Sequence, residues 1–163
     1  YHVPGAQARI AARFRKLDAL NKKWIAYANK HGYVETMPDK TVDPKRGYPI
    51  LCTRTERGRI LETVPLNYHV QSTAMWWMGK AMIRCADYLR STFPSGKITA
   101  QVHDELVFDL PKGKGLLPWK TNAHHVREIK RLMEMGGDDV GVPTPVNVEY
   151  VSDNWSQSEA VKL

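Results

Sequence analysis

Two strand-like runs flank the triplet His103-Asp104-Glu105, and that juxtaposition constrains the chain more than anything else in it. Ile98–Val102 leads in and Leu106–Leu110 leads out, and both are rich in the residue types that favour a pleated strand. The segment therefore reads as a hairpin with two adjacent acids at its tip. Such a tip is costly, because the like charges repel and neither acid serves a β-turn as Asn-Gly would. A cation seated between the carboxylates offsets that cost, and paired Mg²⁺ ions held by carboxylates are the usual apparatus of nucleotidyl transfer. Taken alone, three such residues are more often a solvated acidic turn.

Around the hairpin the pattern alternates between helices and short strands. Residues 8–31 are predicted as one amphipathic helix, with Ile10, Phe14, Leu17, Leu20 or Asn21, Trp24, Ile25 and Ala28 recurring every three or four residues and Gly32 as its stop. Arg13, Lys16, Lys23 and Lys30 fall off that stripe. Two short strands follow, Tyr33–Met37 and Tyr48–Thr53, separated by a polar loop carrying Lys40, Lys45 and Arg46. A basic turn with Arg54, Arg57 and Arg59 comes next, so the strand pair is expected as an arm with cations on its surface. A second helix is predicted over 69–92, with Val70, Ala74, Trp77, Met78, Ala81, Met82, Cys85 and Leu89 making an apolar face wide enough to be buried on more than one side. Trp76, Trp77 and the methionines at 75, 78 and 82 are expected as core filler. A Gly/Lys/Pro connector spans Pro111–Pro118. The third helix is predicted over Asn122–Met135, ended by Gly136-Gly137, with the adjacent His124 and His125 on its surface. Val146–Val151 is expected as a last strand beside the hairpin, with Trp155 closing the end. The fold class that results is α+β.

Composition permits one domain with a real core: 163 residues, 42% hydrophobic and 25% charged. No apolar run approaches the roughly 20 residues that a membrane span needs. The chain opens at Tyr1 without a Met or a signal peptide, so a fragment or processed product is expected. Cys52 and Cys85 have no Cys or His at zinc-ligand spacing and are expected as reduced, partly buried thiols in a cytoplasmic protein. Charge is polarised along the chain. Residues 1–60 carry thirteen Lys and Arg against five acids, a balance of +8; residues 61–163 carry eleven against twelve, a balance of −1. A basic half of this kind suits a polyanion, although a solubilising helix face has the same composition.

The segment Gln101-Val102-His103-Asp104-Glu105-Leu106-Val107-Phe108 resembles the third catalytic motif of family A, the DNA polymerase I-like enzymes. Three further stretches resemble that family in the right order. Gly32-Tyr33-Val34-Glu35-Thr36 is similar to the turn after the long helix beyond the fingers. Asn67 to Ala74 is similar to the Asn-x-x-x-Gln-(Gly/Ser)-(Thr/Ala)-Ala segment that opens a palm helix, and Asp153-Asn154-Trp155 is similar to the C-terminal Glu-Asn-Trp. The likeness covers roughly residues 10–158, and Gln71-Ser72 in place of Gln-Gly resembles the phage branch.

The resemblance implies an antiparallel palm-type sheet with a catalytic hairpin, packed by long helices, as part of a larger domain. Residues 1–32 would be the helix following the fingers, 33–66 a basic strand-loop arm and 67–163 a palm segment. It implies template-directed nucleotidyl transfer to a primer 3′-hydroxyl by two Mg²⁺ ions, with primer-template DNA and deoxynucleoside triphosphates as partners. Asp104 would be a metal ligand, Glu105 an accessory carboxylate near the metals, and His103 a contact to the primer terminus. Asn67 and Gln71, four residues apart at a helix start, would donate to the minor-groove acceptors that all base pairs share; the bland alternative is that they merely cap the helix and are solvated. Gln101, Arg54, Arg57 and Arg59 complete the expected DNA contacts. Two departures matter. Thr63 stands where the family often carries a basic residue, and the Asp-x-Ser-x-x-Glu motif with the first catalytic Asp is absent, as is the fingers helix with its Lys and Tyr. The second metal ligand would then come from the rest of the polymerase, in the parent chain or another subunit, and the isolated chain would not turn over. Two other readings stand beside this one. One is a primer-template binding module that catalyses nothing. The other is an unrelated metal-dependent hydrolase, which lacks a second carboxylate or His cluster to complete its site.

Overall fold

The amphipathic repeat that ends at Gly32 folds as helix α1, Arg15–His31, in a computed structural model that describes residues 15–112, 122–151 and 154–161. The part of the repeat before Arg15, the connector beyond Lys112, Asp153 and the Trp155 side chain lie outside the described residues. Between Thr73 and Ala74 the chain divides into two compact units.

In the first unit Gly32 takes φ 82, a left-handed conformation that costs a glycine little, and its N–H donates to the Ala28 carbonyl at 2.7 Å to close α1. The chain then forms β1, Tyr33–Glu35, antiparallel to β2, Pro49–Leu51, with Val34 opposite Ile50. Both strands are shorter than their hydrophobic runs suggest. The loop between them is tied by short polar side chains instead of by a longer ladder. Thr36 N–H donates to the Tyr48 carbonyl and Tyr48 N–H to Thr36 Oγ1, each at 3.0 Å. The buried Asp39 carboxylate accepts from the Thr41 N–H at 2.8 Å and its hydroxyl at 2.6 Å. Ala28, Val34, Cys52 and Ile60 form the core, with Trp24, Ile50, Val64 and Tyr68 packed on it. Only the C-terminal part of the α1 stripe joins that core, since Leu17 and Leu20 are exposed.

Helix α2, Val64–Thr92, starts five residues before the predicted boundary. Pro65 accounts for this: in a first turn a proline gives up no intrahelical hydrogen bond and its φ is already helical. The buried positions of α2 from Met78 onward, Met78, Ala81, Cys85 and Leu89, form one stripe at spacings of three and four. The face is narrower than predicted, because Val70 and Ala74 are exposed, and Met75, expected as core filler, is 57% exposed. Burial pushes the Cys85 thiol up to about 11.

In the second unit α2 packs against α3, Ala123–Val140, through Ala81, Cys85, Leu89, Ile129 and Met133. The prediction that α3 stops at Gly136-Gly137 is incorrect. The helix runs through both and ends at Gly141, φ 75. These glycines allow close approach. A Cβ on Gly136 would lie 1.6 Å from Trp77 Cδ1, and one on Gly137 2.2 Å from Thr144 Oγ1. Trp77 Nε1 donates to the Met133 carbonyl at 3.3 Å, and Asp139, buried on α3, takes Lys80 at 2.8 Å and Arg84 at 2.5 Å from α2. The segment after α3 is fastened by Val146 N–H donating to Glu134 Oε1 at 3.0 Å. That bond and the Lys130 ammonium, the larger cause, hold the Glu134 carboxyl below its ordinary range. His125, expected at the surface, is half-buried: it stacks on Phe93 at 3.9 Å and bonds the Tyr88 hydroxyl at 2.7 Å.

Strands β3, Lys97–Val102, and β4, Glu105–Asp109, form the expected hairpin. The expectation for the last strand fails. Among the described residues β5, Glu149–Val151, pairs with β6, Ser158–Ala160, and not with the hairpin. Asn154 is the cause, since its side chain accepts the Ser156 N–H at 3.1 Å, caps the 3₁₀ turn Trp155–Gln157 and sends the chain back along β5. Helices and small antiparallel strand pairs give the α+β class that the pattern implies. No helix among the described residues is long and apolar enough to cross a membrane.

The two helix glycines with opposite surroundings make a test. Gly136→Ala is expected to lower stability by about 3 kcal/mol, the upper range for overpacking, because the indole of Trp77 must move as a rigid body. Gly79→Ala on α2, where nothing lies within 4 Å, is expected to raise it by up to about 1 kcal/mol through helix propensity. Urea unfolding of both variants checks the pair, and similar effects at the two sites would refute the packing account.

Candidate active site

The β3–β4 ladder fixes the hairpin tip to the residue. Val102 pairs with Glu105, leaving His103 and Asp104 as a two-residue turn. His103 takes φ 52, so the first central residue is left-handed, the conformation that primed hairpin turns need and that glycine normally supplies. A histidine there costs on the order of 1–2 kcal/mol. Gln101 Nε2 donates to the His103 carbonyl at 2.7 Å and so fastens the turn from within. A bulge between Ile98 and Ala100 shifts the register, so Ile98 and Gln101 fall on the same side of the ladder as Phe108 and Leu106. Ile98, Leu106 and Phe108 pack against the core, whereas every residue from Gln101 to Glu105 is exposed. The ladder is thus tethered at one end and projects its acids at the other.

Asp104 and Glu105 have no cationic partner within 4 Å among the described residues. Two adjacent carboxylates offer the hard oxygen ligands that Mg²⁺ prefers, and in kind they fit it. In number they do not. No group of three or more His, Cys, Asp or Glu able to hold a metal occurs among the described residues, while Mg²⁺ takes six ligands in a near-octahedral shell.

Asn67 and Gln71 belong to the first unit and the hairpin to the second. Because α2 begins at Val64, Asn67 lies past its N-cap position, which removes the capping explanation for that side chain. Both amides are exposed. Of the expected cationic contacts, Arg54 is engaged locally, its Nη1 donating to the Gly58 carbonyl at 2.9 Å across the turn. Arg57 and Arg59 are exposed on the same turn, whose backbone is closed by Thr55 N–H donating to the Arg59 carbonyl at 2.8 Å. Arg46 pairs with Glu35 at 3.2 Å. The sequence assigns no role at this site to three residues that tie down the helix turn carrying the amide pair: His69, Thr73 and Trp24. His69 Nδ1 lies 2.5 Å from the Glu35 carbonyl, and its ring is 4.3 Å from that of Trp24. Thr73 Oγ1 accepts from the Met37 N–H at 2.9 Å and donates to the His69 carbonyl at 2.6 Å.

The chain belongs to DNA polymerase family A, whose model matches residues 6–157. It is 25% identical over 154 residues to a DNA polymerase I of Chloroflexus aurantiacus, covering 94% of this chain and 15% of that protein. To the thermostable DNA polymerase I of Thermus aquaticus it is 28% identical over 148 residues, covering 90% and 16%. To DNA polymerase I of Bacillus subtilis it is 30% identical over 105 residues, covering 64% and 12%. The chain therefore spans less than a fifth of the length of these relatives. All three are bacterial, and none of them bears on a phage type.

If His103 sits in a strained turn held by Gln101, glycine should relieve the strain. His103→Gly is expected to be neutral or to stabilise by up to about 1 kcal/mol, because its greater unfolded-state entropy partly cancels the relief. Gln101→Ala is expected to destabilise by about 0.5–1.5 kcal/mol. Chemical denaturation of both variants is the check, and a clear loss of stability in His103→Gly would contradict the strained turn.

Proposed function

We propose that this chain is the C-terminal palm portion of a DNA-directed DNA polymerase, carrying one of the two carboxylate positions of a two-metal nucleotidyl-transfer site. One observation carries the reading: the family's third motif folds as a tight hairpin with Asp104 exposed at its tip and its ladder anchored in the core. Asp104 and Glu105 are the residues that would hold Mg²⁺, the remaining ligands coming from other parts of the polymerase. When bound, Mg²⁺ supplies Lewis-acid activation of the primer hydroxyl and neutralises the triphosphate. Asp104 contributes charge at a fixed point, because the ladder and the Gln101 bond leave its backbone little freedom. His103, beside it, presents an imidazole that can donate to a sugar or phosphate oxygen at the primer end. Gln101 acts on the turn through its amide N–H and retains its oxygen for the DNA.

Asn67 and Gln71 would meet the minor-groove acceptors common to all base pairs, which tests pairing geometry without reading sequence. Arg57 and Arg59, and the basic half generally, would contact phosphates; Arg54 would act mainly by shaping the turn. In this assignment residues 1–32 form the helix after the fingers, 33–66 a basic arm and 67–163 the palm segment, acting in DNA replication in the cytoplasm of a bacterium or a phage-infected host. The phage branch rests on Gln71-Ser72 alone. A second reading is a primer-template binding module without catalysis, which the +8 balance of residues 1–60 supports equally well.

Two measurements separate these readings. In the complete polymerase, Asp104→Asn keeps the shape of the side chain and loses its charge, so most turnover should vanish while DNA affinity stays within a few-fold. Near-normal incorporation by that variant would remove Asp104 from the site. The 163-residue chain alone should bind primer-template weakly, with affinity falling steeply as salt rises, and should incorporate no nucleotide with Mg²⁺. Salt-independent binding would exclude the phosphate-contact role, and incorporation by the isolated chain would exclude the half-site.

A further inference from the structure

Asn67 and Gln71 can probe a groove only if the helix turn that carries them is held at one rotation. On an ideal helix, at about 100° per residue, Gln71 lies about 40° from Asn67, whereas His69 and Thr73 lie about 200° and 240° from it. The exposure agrees: Asn67 and Gln71 are exposed, His69 is half-buried and Thr73 is buried. On that inner side two hydrogen bonds reach the chain at and just after the end of β1, and a third joins the two α2 residues that make them. The Glu35 carbonyl can only accept, so the 2.5 Å contact with His69 Nδ1 requires the proton to be on Nδ1. Thr73 Oγ1 is used twice, accepting the Met37 N–H and donating to the His69 carbonyl one turn back on α2. The ring of Trp24 covers His69 from α1.

We propose that His69 and Thr73 are positioning residues: they latch the first turns of α2 to the Glu35–Met37 backbone and thereby fix the direction in which Asn67 and Gln71 point. The proposal rests on the reading of Asn67 and Gln71 as the groove-facing amide pair. It follows that the specificity of the amides depends on two side chains that touch neither DNA nor nucleotide. The partner groups are backbone atoms, so the latch tolerates any side chain at residues 35 and 37 except a proline at 37, which has no N–H to donate. It depends on a donor at 69 and a hydroxyl at 73. Serine at 73 would serve; valine, the same shape without the hydroxyl, would not.

The test has two arms. In the 163-residue chain, side-chain nitrogen shifts from NMR should report His69 as the Nδ1–H tautomer. Thr73→Val should speed amide exchange at Met37 by about two- to tenfold, the range for one lost hydrogen bond, and Thr73→Ser should not. An Nε2–H tautomer, or unchanged exchange in Thr73→Val, overturns the latch. The second arm uses the complete polymerase and compares extension from a normal primer end with one carrying 3-deazaguanine, which lacks the minor-groove acceptor. The wild type should slow on the modified end, and Gln71→Ala should lose that sensitivity. Thr73→Val should lose about two- to tenfold of it, with Thr73→Ser like the wild type. If Gln71→Ala loses the sensitivity while Thr73→Val keeps it, groove reading stands and the positioning role falls. If Gln71→Ala stays as sensitive as the wild type, groove reading itself fails and takes the positioning role with it. Should Thr73→Val not fold, His69→Gln, which keeps a donor, and His69→Leu, which lacks one, make the same comparison. Equal sensitivity in those two would overturn the proposal.

Discussion

A buried carboxylate governs the second unit. Asp139 sits on α3 with its side chain 8% exposed and takes both Lys80 and Arg84 from α2. Leaving such a charge buried without partners costs several kcal/mol, so α3 can settle only where both cations reach it. Lys80 and Arg84 are one turn apart, and a clamp of that kind fixes rotation and axial position together. The apolar contacts then follow from helical spacing. Gly136 comes under Trp77, the Met133 carbonyl receives the indole N–H, and Ile129 meets Cys85. The hairpin adds a further layer, since Ile98, Leu106 and Phe108 pack against the same cluster.

Local signals carried most of the fold. The α2 stripe from Met78 to Leu89 and the β3–β4 hairpin depend on periodicity, which a sequence displays directly, although the turn is one residue shorter than the triplet the pattern leaves, because Glu105 pairs with Val102 and joins β4. Two misreadings turn on groups outside the element itself. Gly136-Gly137 looks like a helix stop because a glycine that ends a helix and one that admits a neighbour are locally identical, and the neighbour, Trp77, is remote in sequence. The pairing of β5 with β6 is likewise decided by the Asn154 cap beyond the strand and not by the strand itself. Pro65 is a legible signal for the earlier start of α2.

The candidate site divides along the same line. The strand pattern puts Asp104 and Glu105 together at a tip; the ladder keeps Asp104 there and takes Glu105 in as the first residue of β4. Asn67 and Gln71 are picked out by their spacing and family likeness. His69 and Thr73 are not, because a latch onto a backbone carbonyl and a backbone N–H leaves no trace in the partner residues. Any residue but proline presents the same two groups. Only the folded chain reveals which ones are used.

Exposure without a partner is itself informative when the backbone beneath is fixed. Asp39 and Asp104 are both acids in polar turns, and composition does not tell them apart. Asp39 is 2% exposed, and its Oδ1 accepts from both the N–H and the hydroxyl of Thr41, shaping its own loop. Asp104 is exposed at a turn whose geometry Gln101 and the ladder have already settled. The exposed amides of Asn67 and Gln71 repeat the pattern, with their helix turn tied down on the opposite side. In each case the hydrogen bonds that determine position lie beside or behind the functional group and leave its head unspent. A group that must meet a ligand at a set point needs that arrangement, because a side chain satisfied within its own fold would have to break bonds before it could bind.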